Sequence, residues 1–230
     1  MRPNFSFEEA RMAQSFDVVT FDCYGTLIDW ESGLVQAFAE ASTADGVQLD
    51  PHAVLHVLFD AHPKTGYQPY RERLADAALR VSHQLGWRIS RERAAFLAES
   101  LAGWTPFPDT NPALERLRDA GYALGILSNV DDDLLADTLR HLTVPFEFTV
   151  TAQQVRSYKP ALAHFHTGRE RVAGRRWLHV AQGYIYDVAP CAQLGIPVAW
   201  INRKGETAPA RPGREFGTLT ELADWLGQPR

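Results

Sequence analysis

The sequence predicts an α/β protein with a doubly wound parallel sheet, Rossmann-like, and an inserted all-helical cap. Short apolar runs alternate with helical patterns in the second half of the chain, which is the rhythm of a parallel sheet with crossover helices. One further apolar run lies near the start, and the long segment after it shows helical periodicity only. With 230 residues, 45% of them hydrophobic, the chain can bury a hydrophobic core without the help of structural metal ions or disulfide bonds.

The first predicted strand is the β-branched and aromatic run Phe16–Phe21. It ends at Asp22 and is followed by a glycine-containing loop, Tyr24-Gly25-Thr26. Ligands of open parallel sheets bind beyond the carboxyl ends of the strands. Asp22 is therefore a candidate active-site residue.

A helical cap is predicted between Trp30 and Phe107. Apolar residues recur there at helical spacing, and glycine or proline breaks separate the groups. The groups are Leu34, Ala37 and Phe38; Val54, Leu55, Leu58 and Phe59; Leu74, Ala77, Ala78 and Val81; and Phe96, Leu97 and Leu101. Because this insertion leaves the chain directly beside Asp22, we expect residues 31–107 to form a lid over the active site.

The α/β alternation then returns, and we assign residues 14–30 and 108–226 to one catalytic core, with termini at 1–13 and 227–230. Asp131 is expected to cap the helix that follows it, since its carboxylate can accept from free backbone N–H groups. The segment 203–216 is rich in Pro and Gly and is interpreted as a loop. The remaining predicted elements are the helix Asn111–Ala120, strands Tyr122–Leu127, Phe146–Thr151, Leu178–Ala181 and Ile196–Ile201, and the helix Leu219–Leu226.

Composition excludes several classes of protein. A net charge of −5 and a pI of about 5.9 argue against nucleic acid as a partner. No apolar run is long enough to cross a bilayer, and the segment 1–15 lacks the apolar region of a secretory signal, so we expect a cytoplasmic protein. Cys23 and Cys191 lie far apart, which disfavours a disulfide framework or a zinc site. His164 and His179 are interpreted as surface or core residues without a role in metal binding.

Four short motifs occur in order, each at the predicted end of a strand or start of a helix. They are Asp22-x-x-Gly25-Thr26-Leu27, Ser128-Asn129, Lys159-Pro160 and Asp187. This set resembles the haloacid dehalogenase-like hydrolase superfamily over essentially 16–203. The opening motif, with Trp200-Ile-Asn-Arg203 near the end, is similar to the branch of the type II 2-haloacid dehalogenases and azetidine-2-carboxylate hydrolases.

The residue types of these motifs suit covalent catalysis. Asp22 would be the nucleophile, since a carboxylate can attack an electrophilic carbon or phosphorus. Thr26, Ser128 and Asn129 would donate hydrogen bonds, and Lys159 would keep Asp22 ionised. Asp187 would accept a proton from the water that hydrolyses the intermediate. Tyr24, Trp30, Asn129 and Gln182 are the predicted substrate-binding residues.

Two departures from the phosphatases of the superfamily indicate the subclass. Those enzymes carry a second Asp two residues after the nucleophile, where this chain has Tyr24, and an acidic magnesium ligand where it has Gln182. Without these carboxylates a tight magnesium site is disfavoured. A leaving halide needs no general acid, so the pattern favours substitution at carbon over phosphoryl transfer.

The resemblance therefore implies attack by Asp22 on a small 2-substituted carboxylic acid, of the 2-haloacid dehalogenase type and with no cofactor. The cap arginine that binds the substrate carboxylate in the dehalogenases is replaced near Phe59, and Arg71 and Arg73 are nearby alternatives. Phe165 stands where the dehalogenases have a tyrosine. Three alternatives stay open: opening of an azetidine-2-carboxylate ring, a phosphatase that would use Mg²⁺, and an inactive binding protein. Homodimerisation through the cap is also left open.

Overall fold

The structure is a computed structural model that describes residues 16–59, 66–210 and 213–227. Its strands are β1 Val18–Phe21, β2 Ala123–Ser128, β3 Phe148–Thr151, β4 Trp177–Ala181, β5 Val198–Ile201 and β6 Arg214–Phe216. They form one parallel sheet in the order β3-β2-β1-β4-β5-β6, which confirms the predicted fold class. The strand order reverses beside β1, so a crevice opens between the carboxyl ends of β1 and β4.

Helices cover both faces of this sheet and fill the segment between β1 and β2. The helices before β2 are α1 Trp30–Ala44, α2 Pro51–Phe59, α3 Tyr70–Gln84, α4 Phe96–Ser100 and α5 Thr110–Asp119. Those after β2 are α6 Asp132–Leu139, α7 Ala152–Val155, α8 Ala163–Val172, α9 Ala189–Gln193 and α10 Leu219–Leu226. Short 3₁₀ turns lie at Arg93–Ala95 and Leu101–Gly103, and a π-helical turn lies at Tyr184–Val188.

The chain enters and leaves the helical insertion, which holds α1 to α4, at a single crossing point. Ile28 forms a β-bridge with Pro106, and the Phe107 N–H donates to the Leu27 carbonyl at 3.0 Å. Every regular element between these two points in the described residues is helical, as the periodicity predicts. The domain boundaries themselves stay predictions. The predicted termini, apart from Gly227, lie outside the described residues, as does the segment 1–15 discussed above.

The sheet is buried between two apolar layers. Successive residues of β1 point to opposite faces, so Val18 packs in one cluster and Val19 in the other. All four residues of β1 are fully buried, which is expected for the central strand of a parallel sheet. The rigid strand therefore fixes the position of the residue that follows it, Asp22. None of the described helices is both long enough and apolar enough to cross a membrane.

Two sequence expectations were wrong. The segment 203–216 is not wholly a loop, because β6 pairs with the edge of β5 in register from Ala199 with Arg214. A three-residue edge strand after a Pro/Gly-rich stretch gives too little pattern to be recognised. Asp131 precedes α6, but its side chain makes no cap hydrogen bond there. Its carboxylate accepts instead from the backbone N–H groups of Tyr70 and Arg71, at 2.9 and 3.1 Å.

Asp131 thus caps α3, a helix of the insertion, from the core. We expect Asp131→Ala to lower the free energy of unfolding by about 1–2 kcal/mol, because two backbone donors at the start of α3 lose their acceptor. Asp131→Asn keeps one acceptor oxygen and should lose less. Urea titration of the variants measures the effect. The control is Asp133→Ala, which removes an exposed ion pair with Arg71 and the acceptor of the Leu134 N–H but leaves the Asp131 cap of α3 in place. Equal losses in the Asp131→Ala and Asp133→Ala variants would contradict the capping role.

Candidate active site

Two carboxylates and one ammonium group meet at the carboxyl ends of β1 and β4. Asp22 follows β1 directly, and Asp187 lies in the π-helical turn after β4. The Lys159 Nζ lies between them, 2.8 Å from Asp22 Oδ1 and 2.6 Å from Asp187 Oδ1. All three side chains are buried. The structure therefore brings together three residues that are far apart in the sequence, with Asp187 lying 165 positions after Asp22.

The Lys159 ammonium is fully used by the protein. Besides the two carboxylates, it donates to the Leu127 carbonyl oxygen at 2.9 Å, so each of its three protons has an acceptor. Burial acts to lower the pKa of Lys159, but the adjacent charges of Asp187 and Asp22 outweigh it and raise the pKa above the usual lysine value. Lys159 is therefore charged at neutral pH. It has no proton left for a substrate carboxylate.

The second oxygen of Asp22 is held by its own loop. Thr26 Oγ1 donates to Asp22 Oδ2 at 3.0 Å and accepts from the Gln182 N–H at 2.9 Å. Gly25 has a φ of +94°, a left-handed conformation that glycine adopts without strain, and this turn lets Thr26 reach back to Asp22. Hydrogen bonds from Lys159 and Thr26 therefore fix the orientation of the Asp22 carboxylate.

The two acids differ in their electrostatic surroundings. Burial raises the pKa of Asp22, and the Lys159 ammonium opposes that rise only in part. Burial also acts to raise the pKa of Asp187, but Lys159 and a hydrogen bond from His179 outweigh it and hold the pKa below its usual value. One ammonium serves two carboxylates, and each acid also bonds to a second side chain, Thr26 for Asp22 and His179 for Asp187, but only at Asp187 do these contacts outweigh the effect of burial. Asp187 is therefore the more strongly ionised of the two.

His179 is a site residue that the sequence reasoning missed. It lies in β4, fully buried, with Nε2 at 2.9 Å from Asp187 Oδ1 and Nδ1 at 2.8 Å from Thr20 Oγ1. Its ring contacts Phe165 edge-on, with ring centroids 5.6 Å apart. The sequence did contain a signal for this role, because His179 is a polar residue inside the otherwise apolar strand β4, and a buried polar group needs a hydrogen-bond partner.

Ser128 and Asn129, both at the end of β2, have different environments. The Ser128 hydroxyl is buried and has no hydrogen-bond partner among the described residues, although Ser128 lines the main cavity. The Asn129 side chain is bonded in both directions to the backbone of Lys159, accepting from its N–H at 2.7 Å and donating to its carbonyl at 3.1 Å. Asn129 therefore holds the Lys159 loop in place, while Ser128 has a donor available for a ligand.

The main cavity, about 870 Å³, lies between the insertion and the ends of the strands. The predicted substrate-binding residues Tyr24, Trp30 and Gln182 line it, together with Asn129. The Tyr24 hydroxyl is turned toward Thr138 Oγ1, at 2.8 Å. The described lining also includes these aromatic and charged residues: Phe59, Tyr70, Trp104, Tyr184, Tyr186, Trp200, Glu31, Lys204 and Glu206.

No arginine occurs among the described residues that line this cavity. Phe59 stands there instead, consistent with the missing cap arginine. Arg71 lies at the surface, where it pairs with Asp133. Arg73 lines an adjoining cleft, donates to the Gly66 carbonyl and stacks over the Tyr158 ring, 3.7 Å from its centroid. Neither arginine reaches the main cavity in this conformation.

The donor set does not fit a tightly held magnesium ion. Magnesium prefers carboxylate oxygens and water in octahedral geometry. Here the Oδ1 atoms of Asp22 and Asp187 already accept from Lys159, and Tyr24 and Gln182 occupy the two positions where further acids would be needed. Within the described ranges, no group of three or more His, Cys, Asp or Glu side chains is arranged to hold a metal ion.

The fold and the site together define an α/β protein with two buried carboxylates and a shared ammonium group under a helical insertion. Residues 16–184 match the family model of the haloacid dehalogenase-like hydrolases, and the chain belongs to that family. It is therefore a hydrolase, as the four motifs predict.

Curated relatives and solved structures agree with this assignment. The chain is 26% identical to (S)-2-haloacid dehalogenase H-109 of Pseudomonas putida, over 93% of this chain and 99% of the relative. It is 27% identical to haloacetate dehalogenase H-2 of Moraxella sp. (strain B), over 84% and 88% of the two chains. A crystal structure of a dehalogenase with an intermediate complex superposes with a TM-score of 0.80 at 21% identity, covering 94% of this chain and 99% of that one.

Proposed function

We propose that this enzyme hydrolyses a bond at a saturated carbon through a covalent ester on Asp22, with a small 2-haloacid as the substrate. The observation that carries the proposal is the absence of a general acid beside a charged nucleophile. Tyr24 occupies the position that an acid would need, and its hydroxyl is bonded to Thr138. A halide leaves as a stable anion, whereas an alkoxide leaving group would have to be protonated.

The reaction would proceed in two steps. In the first, a carboxylate oxygen of Asp22 attacks C2 of the substrate from the side opposite the halogen, and the halide leaves with the bonding electron pair. The Ser128 hydroxyl, which has no hydrogen-bond partner in the described part of the chain, would donate to the substrate carboxylate. Thr26 and Lys159 keep the attacking carboxylate oriented.

In the second step, water attacks the ester carbonyl carbon, which is Cγ of Asp22, and Asp187 accepts its proton. The ester C–O bond at Cγ breaks, the leaving oxygen takes the proton held by Asp187 so that the 2-hydroxy acid departs as an alcohol, and Asp22 is regenerated as a carboxylate with one oxygen from water as the second water proton is released to solvent. The configuration at C2 is inverted, because substitution occurred there once. Asp187 suits this role because the adjacent Lys159 ammonium favours its ionised form.

A second candidate is favoured by the charge of the cavity. The ring of azetidine-2-carboxylate carries an ammonium group, and Glu31 and Glu206 line the cavity together with several aromatic side chains. Lys204 is paired with Glu31, and Lys159 has no proton to give. Attack of Asp22 on a ring carbon would break the C–N bond without a general acid, since the ring nitrogen already carries its proton.

Parallel assays separate these candidates from a phosphatase. The purified enzyme is incubated with (S)-2-chloropropionate, azetidine-2-carboxylate or p-nitrophenyl phosphate, each with EDTA or with Mg²⁺. We expect chloride release or ring opening that EDTA does not reduce. In heavy-oxygen water, a single turnover should place the label in Asp22, and Asp187→Asn should accumulate the ester as a mass increase on the peptide containing Asp22. Phosphate release that depends on Mg²⁺, with phosphorylation of Asp22, would overturn the proposal.

A further inference from the structure

A buried chain of hydrogen bonds leads from Trp177 to Asp187. The Trp177 Nε1–H donates to Thr20 Oγ1 at 2.7 Å, Thr20 Oγ1 lies 2.8 Å from His179 Nδ1, and His179 Nε2 lies 2.9 Å from Asp187 Oδ1. Thr20 and His179 are both fully buried. Nothing in the two-step reaction outlined above uses these groups, yet they end on its general base.

The direction of the last bond follows from the chemistry of the two groups. An ionised carboxylate can only accept, so the bond to Asp187 exists only when the proton of His179 is on Nε2. Thr20 can meet either form of Nδ1, because a hydroxyl can donate to a ring lone pair or accept from a ring N–H. If the only ring proton were on Nδ1, Nε2 would present a lone pair to the Asp187 carboxylate, and no hydrogen bond could form between them.

The two donors leave one oxygen of Asp187 for chemistry. Lys159 and His179 both bond to Oδ1. Oδ2 lies on the side of Gly183, where a Cβ atom would be 3.1 Å from it, and both Gly183 and Asp187 line the main cavity. The π-helical turn Tyr184–Val188 carries Asp187 into this position, and such turns are frequent at functional sites.

We propose that His179 is a positioning residue: its Nε2–H, with Nδ1 hydrogen-bonded to Thr20, holds Asp187 Oδ1 so that Oδ2 faces the cavity as the general base for ester hydrolysis. The inference rests on the proposed function and adds a residue to it. It assigns His179 to the second step only, because His179 makes no hydrogen bond to Asp22.

The charged and titratable groups around Asp187 define what a pH experiment must consider. Lys159 faces it from the loop before α8, Asp22 from the end of β1 and His179 from β4. His164 of α8 and Cys191 of α9 lie within electrostatic range. Of the described residues, only Lys159 and His179 bond to the Asp187 carboxylate, and removing His179 leaves the contact with Lys159 in place.

The test separates ester formation from ester hydrolysis. In His179→Leu, single-turnover kinetics with the better of (S)-2-chloropropionate and azetidine-2-carboxylate should show ester formation within about threefold of wild type. Hydrolysis should slow by about 10–100-fold, as is typical when an outer hydrogen-bond partner of a catalytic group is lost. The acid limb of the hydrolysis rate should move up by about one pH unit, because the carboxylate loses a donor. His179→Gln can donate from the same region and should recover part of the rate.

His164→Leu is the matched control, since His164 is equally buried but does not bond to Asp187. It should leave the acid limb unmoved, and an equal shift in both variants would overturn the proposal. If His179→Leu does not fold, Thr20→Val tests the same chain and should also slow hydrolysis selectively.

Nitrogen NMR of the wild-type enzyme gives a readout that needs no turnover. A proton on His179 Nε2, with or without one on Nδ1, supports the proposal, and the Nδ1–H tautomer overturns it. If neither substrate forms an ester, the proposed function fails, while the NMR result still decides whether His179 donates to Asp187.

Discussion

Asp22→Asn is expected to abolish covalent chemistry while keeping the fold. Turnover should fall by about 10⁴-fold or more, because an amide oxygen is a far weaker nucleophile than a carboxylate. The variant should be at least as stable as the wild type in urea titration. One buried negative charge is removed, and the remaining pair of Asp187 and Lys159 is balanced. Intact-protein mass spectrometry after incubation with substrate should show no adduct.

Asp29→Asn is the matched control for this prediction. Asp29 lies in the same loop and caps α1 by accepting from the Ser32 N–H at 3.2 Å and the Ser32 hydroxyl at 2.7 Å. An asparagine keeps acceptor capacity for that cap, and Asp29 does not line the main cavity. Turnover should stay within about threefold of wild type. If both variants lost turnover equally, the nucleophile would have to be sought elsewhere.

The fold could be predicted because its signals are local. The central strands are short apolar runs bounded by polar residues, and they pair as the alternation of strands and helices predicts. The edge strand β6 was missed because its pairing with β5 depends on a backbone edge and not on side-chain pattern. Asp131 shows the same limit. Its residue type predicts a cap correctly, but the helix that it caps begins 61 positions earlier in the chain, at Tyr70.

The residues of the candidate site that belong to sequence motifs could be predicted, and those outside motifs could not. Asp22, Lys159 and Asp187 stand in sequence patterns, and the structure brings them into contact. The sequence predicts that Lys159 lies near two acids and keeps Asp22 ionised, whereas in the structure the pKa of Asp22 is raised by burial and only the pKa of Asp187 is lowered. His179 and Thr20 belong to no motif. Their role depends on which face of adjacent strands they share, through the pairing of Thr20 with His179 in β1 and β4.

Lys159→Met is expected to cost more stability than any other single change at the site. It leaves two carboxylates buried together without their ammonium group, and removing one partner of a buried ion pair typically costs about 3–5 kcal/mol. The pKa of each remaining acid should rise above its unfolded value. Such an acid binds more protons in the folded state, so the free energy of unfolding should fall as pH rises. Asp187 of the wild type acts oppositely, because its lowered pKa stabilises the fold above the unfolded value and that contribution is lost on acidification.

Urea titrations at pH about 5 and about 7.5 test this sign, since the deficit of Lys159→Met should be larger at the higher pH. Lys204→Met is the matched control: its ion pair with Glu31 is half-exposed, and its loss should cost less than about 1 kcal/mol at either pH. Adding Asp187→Asn to Lys159→Met removes one of the two uncompensated charges and should restore part of the stability, but not turnover. Equal stability of Lys159→Met and Lys204→Met would contradict this account. The two substitutions are expected to differ in free energy of unfolding because the ion pairs of Lys159 are buried and that of Lys204 is half-exposed.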